Sequence, residues 1–241
     1  ISSAASDVYK RQQYEDMGVS YICTSGEKLP HYIESITSAH PIESTFLRGI
    51  VDALNAEVAL GSVTSLDDGI SWLGFTYLFT RLCKAPRVYG LDAHDFEADP
   101  TLTQRRRQWI TYAANILAQH QMVEFDLAAG TLRPTNMGRI ASRYYLSHKT
   151  VGVFHERLRN NLVEADALSL MSRAADFDQI PLRESEEEEL TSLLESVPCE
   201  VEGGTATAPG KVNILLQAHI SYLYVDDFAL VSDMRLSLIH I

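Results

Sequence analysis

One short segment limits the possible folds of this chain more than any other. Residues 123–127 alternate between apolar and polar side chains, Ala129 and Gly130 predict a turn, and residues 132–135 return. Alternation on both sides of a glycine-containing turn is typical of a β-hairpin. Because three helical patterns precede this hairpin, the order of the elements is that of a winged helix.

Each of the three helical patterns has its own start or stop signal. The first carries an apolar stripe that includes Leu54 and ends near Gly61. Ser65 opens the second, because its hydroxyl can cap unpaired amides of the first turn. Asp99 and Pro100 open the third, as an N-cap followed by proline at the first helical position.

Three aromatic side chains are predicted to belong to the core of this winged helix. The second helical pattern is apolar nearly all round, which predicts a buried central helix. Two of the three residues, Trp72 and Tyr77, lie in that helix. The third, Trp109, belongs to the apolar stripe of the following helix.

The rest of the chain divides around the winged helix. Residues 18–24 form a β-rich run and residues 28–37 a short helical pattern, so an α/β segment precedes it. From about Lys149 the pattern is helical, with a loop at 200–211 and an amphipathic helix at 212–223. We therefore predict a mainly α fold, in which the α/β tail of another domain precedes a winged helix and the start of a helical bundle.

Composition narrows the classes of partner. The chain has 20 Lys and Arg against 32 Asp and Glu, a net charge of −12, which disfavours broad binding of phosphate backbones but allows a local basic stripe. The three cysteines are far apart, which predicts free thiols and no structural zinc site. No apolar run reaches the roughly 20 residues that cross a bilayer, so no membrane partner is expected.

The densest basic cluster is the candidate for contact with RNA or DNA. Arg105, Arg106 and Arg107 lie near the start of the third helix and are predicted to bind phosphates. Consecutive helical positions spread around the helix, so at most one or two of them can face one ligand. The alternative is that these arginines are solvated or lie at a domain interface.

No pattern of catalytic or metal-binding residues accompanies this cluster. The chain lacks the phosphate loop G-x-x-x-x-G-K-[ST], the nucleophile elbow G-x-S-x-G and the His or Cys spacing of metal sites. We therefore assign no catalytic residue, no metal and no cofactor to this chain. Glu184 and the run Glu186–Glu189 are expected to be a solvated helix start, with an acidic partner site as the alternative.

Both ends of the chain resemble translated sequencing adapters. Residues 1–12 and 236–241 read as complementary copies of one adapter at opposite ends. Such scars are excluded from reasoning about the fold. Residues 13–235 are then the natural body of the sequence.

Five motifs in this body closely resemble the two-cassette, Ski-two-like helicases. They are HPIES at 40–44, LNAEVALG at 54–61, WLGFTYL at 72–78, GRIASRYY at 138–145 and KVNILLQ at 211–217. The resemblance implies the end of a second RecA-like domain at 13–42 and a winged helix at 43–147. It also implies the N-terminal part of a Sec-sixty-three-like helical domain at 148–235, all within the N-terminal, ATP-hydrolysing cassette.

The same resemblance implies an ATP-dependent 3′–5′ RNA or DNA helicase, whose ATP and Mg²⁺ sites would lie upstream of residue 13. Two branches compete: the cointegrator-complex helicases, favoured by residues 177–184 and 227–233, and the spliceosomal helicases. The favoured branch implies ribosome quality control and alkylation repair, in the nucleus and cytoplasm. Its partners would be an RNA or DNA strand, other helicase domains in cis, and cointegrator-complex subunits or the ribosome. The alternative is a free-standing winged-helix interaction module without catalysis.

Overall fold

The fold is taken from a computed structural model, which describes residues 21–37, 42–92, 94 and 98–239. The chain divides into two compact units, residues 1–43 and 44–241. In the first unit, helix α1 (Leu29–Thr37) confirms the predicted helix. Residues 21–25 form no strand, so the described part of the strand expected at 18–24 is absent. The predicted adapter tail at 1–12 and the residues His40 and Pro41 of the first motif lie outside the described residues.

The second unit begins with the winged helix, whose helices surround one hydrophobic core. A 3-10 turn at Phe46–Gly49 leads into α2 (Ile50–Leu60), followed by α3 (Leu66–Gly74), α4 (Tyr77–Lys84) and α5 (Thr103–Gln119). The predicted stop of α2 is confirmed, because Gly61 caps it in the left-handed conformation at φ 82°. The predicted cap of α3 is also confirmed, since the Ser65 hydroxyl accepts from the Asp68 amide.

The prediction of a single helix over Trp72 and Tyr77 is wrong, because α3 ends at Gly74 and a separate helix begins at Tyr77. The Thr76 hydroxyl accepts from the Phe79 amide and starts a new helix, α4. Tyr77 lies in the first turn of α4 with 53% of its surface exposed, while Leu78 is buried. The assignment of Tyr77 to the core is therefore wrong: the restart of the helix turns it outward.

Trp72 and Trp109 lie at the edge of the core. Both are half-buried and pack against the main cluster of the winged helix. The Trp72 ring meets Phe46 edge-on at 5.6 Å, and Trp109 also contacts a second cluster around Leu78 and Leu102. The centre of the domain is instead aliphatic, with Leu54 among its fully buried residues.

Helix α5 starts three residues later than the sequence predicts. Pro100 is in a turn, and the helix begins at Thr103 after Leu102, which is buried and left-handed at φ 52°. The Asp99 carboxylate still caps the helix, because its Oδ2 accepts from the Gln104 amide at 2.6 Å. The N-cap prediction was right about the acceptor and wrong about the position of the first turn.

The predicted hairpin is confirmed. β1 (Val123–Asp126) pairs antiparallel with β2 (Thr131–Pro134), and β2 and the turn before it are anchored to the residues at the start of α3. There the Leu66 amide donates to the Gly130 carbonyl and the Leu132 amide to the Thr64 carbonyl, each at 2.8 Å. Helix α6 (Asn136–Tyr144) follows, capped as predicted by Thr135, and packs on α2.

The remaining residues, 148–239, form what we call the helical domain. It contains α7 (His148–Arg157), α8 (Glu164–Met171), α9 (Glu187–Ser196), α10 (Ala208–Ile220) and α11 (Phe228–Ile239). Residues 236–239, assigned to the second adapter tail, continue α11. Helix α10 is buried on all sides from Gly210 to Ala218, so it was wrong to expect one apolar face at 212–223. The central buried helix is α10, whereas the sequence pattern pointed to the segment around Trp72.

Two further observations concern the surface. Among the described residues, no helix is both long enough and apolar enough to span a membrane. The three cysteines, Cys23, Cys83 and Cys199, are free thiols as predicted.

Candidate nucleic-acid interface and domain joint

The three candidate arginines have three different environments. Arg106 turns inward and holds α3 against α5: its guanidinium donates to the Ile70 carbonyl at 2.6 Å and to the Thr101 carbonyl at 3.0 Å. It also lies 4.9 Å from the centre of the Phe79 ring. These contacts give Arg106 a structural role inside the winged helix, and its contact with a phosphate stays a prediction.

Arg105 and Arg107 keep their guanidinium groups near solvent. Arg107 pairs with Asp67 at 2.7 Å, and its side chain is 50% exposed. Arg105 donates to Gln108 at 3.3 Å and lies 5.9 Å from the Trp109 ring centre. A surface ion pair of this kind is weak, so a phosphate could replace Asp67. Contact of these two arginines with nucleic acid stays a prediction.

The winged helix is joined to the helical domain at the start of α7. The Asp52 carboxylate on α2 accepts from the backbone amide of His148 at 2.7 Å and contacts its ring Nδ1 at 3.0 Å. The Ser147 hydroxyl caps the same helix by accepting from the Thr150 amide. One carboxylate of the winged helix therefore fixes the first turn of the helical domain.

Helix α7 also contributes side chains to two cores. Val151, 1% exposed, belongs to the core of the winged helix, and Phe154 packs against the cluster of the helical domain around Phe177. Between them, the buried Thr150 hydroxyl donates to Asp176 at 2.7 Å and accepts from the Ala175 amide at 3.0 Å. Because packed interiors resist deformation, α7 couples the two domains as a rigid element.

A histidine packs over this joint. The ring of His120, at the end of α5, lies 5.8 Å from the ring of His148. It also lies so close to Gly152 of α7 that a Cβ there would fall 2.6 Å from it. Burial, and then the neighbouring His148, hold the pKa of His120 below its usual range. The joint therefore favours a neutral His120.

Sequence reasoning missed a buried charge cluster at the centre of the helical domain. The Lys211 ammonium on α10, fully buried, donates to the carboxylates of Glu186 and Asp233 and, at 2.8 Å, to the Pro181 carbonyl. Arg183 pairs with the same two carboxylates from the edge of the cluster. The prediction of a solvated face is thus wrong for Glu186, which is 1% exposed. The one feature of the sequence that could have indicated this cluster is a charged lysine within the mostly apolar segment 210–218.

The acidic run has a second internal role. The Glu189 carboxylate accepts from the amides of Asp226 and Asp227, at 2.6 and 3.0 Å, and so holds the loop that leads into α11. Glu184, Glu187 and Glu188 are exposed, as the solvated-face prediction expects. Helix register, which the composition of the run does not reveal, separates the structural glutamates from the solvated ones.

Within the described residues, the features closest to an ATP or metal site do not fit either group. The segment from Gly204 to Lys211 superficially resembles a phosphate loop, but the Lys211 ammonium is fully committed inside the helical domain. The carbonyl of Gly204 also lies against Gly210, so the loop is folded onto the helix start and leaves no cradle there. Within the described ranges, no three His, Cys, Asp or Glu residues are grouped to hold a metal ion.

Two domain models match the chain. A winged helix-turn-helix domain model matches residues 43–118, and a Sec63 Brl domain model matches residues 134–238. The second match includes α6, which packs on the winged helix. The domain boundary predicted at 147 therefore stays a prediction.

Large helicases are similar to the chain over most of its length. The RQC trigger complex helicase SLH1 of Saccharomyces cerevisiae is 44% identical over 90% of this chain and 11% of its own length. Activating signal cointegrator 1 complex subunit 3 of Homo sapiens is 40% identical over 92% of the chain, and the U5 small nuclear ribonucleoprotein 200 kDa helicase of Drosophila melanogaster is 38% identical over 93%. The chain spans about a tenth of the length of these relatives. The chain therefore contains winged helix-turn-helix and Sec63 Brl domains, and over 90% or more of its length it is similar to a segment of these large helicases.

Proposed function

We propose that this chain is the winged-helix and helical scaffold of an ATP-dependent 3′–5′ RNA or DNA helicase. The observation that supports this proposal is the position of α7, whose Val151 and Phe154 lie in the cores of two different domains. A movement imposed on the winged helix would reach the helical domain through this helix. The scaffold would thus convert closure of the RecA-like pair into displacement of a bound strand.

ATP and Mg²⁺ would be held by RecA-like domains of the longer protein, since the described residues of this chain do not fit them. The contribution of this chain is mechanical. Its joint is held by the hydrogen bonds of Asp52 to His148, a buried hydroxyl bridge and apolar packing on both sides. Packed interfaces of this kind move between discrete arrangements, which suits a stepwise motor.

The names of the similar helicases suggest a biological process and partners for this protein. We propose work in ribosome quality control or alkylation repair, with an RNA or DNA strand, other helicase domains in cis, and cointegrator-complex subunits or the ribosome as partners. Similarity to an RQC trigger helicase and to a cointegrator-complex subunit supports this branch. A spliceosomal role is the second candidate, supported by similarity to the U5 helicase. We propose the nucleus and cytoplasm as the location, because these partners would be found there.

The test is to loosen the joint and compare two activities in the longer protein. Asp52→Ala removes the partner of His148, and Thr150→Val replaces the buried hydroxyl by a methyl group of similar shape. We expect RNA-stimulated ATP hydrolysis to persist and strand unwinding per ATP to fall. Glu57→Ala, which removes a carboxylate on the same helix that bonds only Ser62 within the winged helix, is the matched control.

The readout distinguishes coupling from folding. Hydrogen exchange of α7 amides should rise in Asp52→Ala and Thr150→Val and stay unchanged in Glu57→Ala. If exchange rises while unwinding per ATP stays at the parent value, the scaffold role is wrong. That result would favour a winged-helix module that acts without the motor.

A further inference from the structure

A polar pocket in the helical domain has no role in the scaffold described above. It lies between the end of α7 and helix α8 and has a volume of about 230 Å³. Three arginines line it: Arg157, Arg159 and Arg173. Asp166 and Glu202 also line it, so the lining has three positive and two negative side chains, a net charge of +1 in a chain whose net charge is −12.

Two of these arginines are free to bind a ligand. Arg157 and Arg159 are exposed and have no ion pair or hydrogen bond with any described residue. They flank Leu158, whose extended conformation (φ −66°, ψ 126°) ends α7. Residues two apart on either side of an extended residue tend to face the same way, which accounts for the presence of both in one pocket.

The third arginine is held in place at the back of the pocket. Arg173 pairs with Glu202 at 2.9 Å, and Glu202 accepts from the Ser169 hydroxyl at 2.8 Å. The Nε atom of Arg173 is buried and has no partner within the described residues. The pair with Glu202 therefore holds the Arg173 guanidinium in the lining of the pocket.

The acidic groups of the pocket are already engaged. Asp166 accepts from the Val163 amide at the start of α8. Hydrogen bonds from Ser169 and Arg173 hold the pKa of Glu202 below its usual range, so that it is ionised at neutral pH. The pocket therefore has two guanidinium groups without a described partner, one partly committed guanidinium and two carboxylates that each already accept a hydrogen bond.

We infer that this pocket binds one phosphate group of a single-stranded nucleic-acid backbone. Arginine binds phosphate oxygens in a bidentate, charge-assisted manner. The pocket is smaller than the roughly 300 Å³ at which small-molecule sites begin, and its free arginines are solvent-exposed, which suits a strand that passes over it. The inference rests on the proposed function, because it names a contact for the strand that the helicase would move.

The test measures binding of a labelled oligouridylate to this chain by fluorescence anisotropy at several salt concentrations. Arg157→Ala with Arg159→Ala should weaken binding. Because the pocket binds one phosphate, the slope of log affinity against log salt should fall by about 0.7. The control, Arg48→Ala with Arg87→Ala, removes the same charge from exposed positions outside the pocket and should leave the slope nearly unchanged.

A second variant is expected to strengthen binding instead of weakening it. Glu202→Gln keeps a hydrogen-bond acceptor for Ser169 but removes the charge that competes for Arg173. We expect several-fold tighter binding of the oligouridylate. Circular dichroism confirms that each variant is folded, so a loss of binding is not a loss of structure.

Three results would overturn the inference. In the first, both double variants weaken binding equally, so that the effect is general charge. In the second, inorganic pyrophosphate binds and oligouridylate does not, which indicates a site for a small anion. In the third, a phosphoserine peptide binds more tightly than the oligonucleotide. Because the assay contains no ATP, its failure is distinguishable from a failure of the coupling experiment.

Discussion

The buried Lys211 ammonium provides the most direct test of how the helical domain is held together. Lys211→Met keeps most of the length of the side chain but leaves the carboxylates of Glu186 and Asp233 with Arg183 as their charged partner. Removing one partner of a buried ion pair costs about 3–5 kcal/mol. Because Arg183 remains, we expect a loss near 3 kcal/mol in the free energy of unfolding.

Urea unfolding of the chain, followed by circular dichroism, measures this loss. The matched control is the exposed ion pair of the winged helix: Arg107→Met should cost less than about 1 kcal/mol, because its side chain and that of Asp67 are 50% and 82% exposed. Lys211→Met combined with Glu186→Gln should recover part of the loss, since it removes one of the two carboxylate charges. Recovery would identify uncompensated charge, rather than packing, as the cause.

Two results would refute the reasoning. A Lys211→Met chain that unfolds within about 1 kcal/mol of the parent would mean that the ammonium is not a buried, paired charge. A double variant no more stable than the single one would mean that the loss comes from packing. The free energy of unfolding must fall with urea concentration at the same slope in all variants, because a changed slope indicates a changed unfolded state.

Four further predictions use the same unfolding assay. Burial raises the pKa of Asp233, but hydrogen bonds from Arg183 and Lys211 outweigh it and lower the pKa. The stabilisation is therefore present above the unfolded value of about 3.9 and lost below it, so an advantage over Asp233→Asn that persists unchanged at about pH 3 would contradict this. The lowered pKa of His120 makes stability fall as pH drops below about 6.5, and His120→Gln should flatten that part of the profile. Gly138→Ala should cost roughly 1–3 kcal/mol or more, because its Cβ would lie 2.0 Å from the Met122 carbonyl oxygen; Gly49→Ala, with open space at its Cβ, is the near-neutral control. Trp72→Ala should cost less than the roughly 3–5 kcal/mol of a buried tryptophan, since Trp72 is half-buried; an equal or larger loss would place it in the core.

Features set by neighbouring residues were readable from the sequence. Ser65 and Thr135 cap α3 and α6 as predicted, and the hairpin around Gly130 forms where the alternation indicates. Caps and turns depend on hydrogen bonds within three or four residues, so a short window contains their causes. The order of these elements was enough to predict the winged helix.

Features set by distant residues were not readable. Tyr77 was placed in the core because nothing in the apolar pattern distinguishes one long helix from two helices with a restart at Thr76. The internal contacts of Arg106 were not predicted, because its partner, the Ile70 carbonyl, lies 36 positions away in the chain. Composition describes a side chain, whereas its role depends on what the fold places beside it.

Helix α10 of the helical domain shows both kinds of feature, since its helical conformation is set locally and its buried charges are set by distant residues. The sequence predicted a helix at 212–223, which overlaps the observed helix Ala208–Ile220, because helical spacing is a local property. The loop expected at 200–211 was wrong for its last four residues. Only the tertiary structure decided that α10 is buried on every side and that Lys211 meets Glu186, 25 positions away, and Asp233 on α11. A lysine can be buried only when charged partners compensate its desolvation, and the long-range packing of α9, α10 and α11 supplies them.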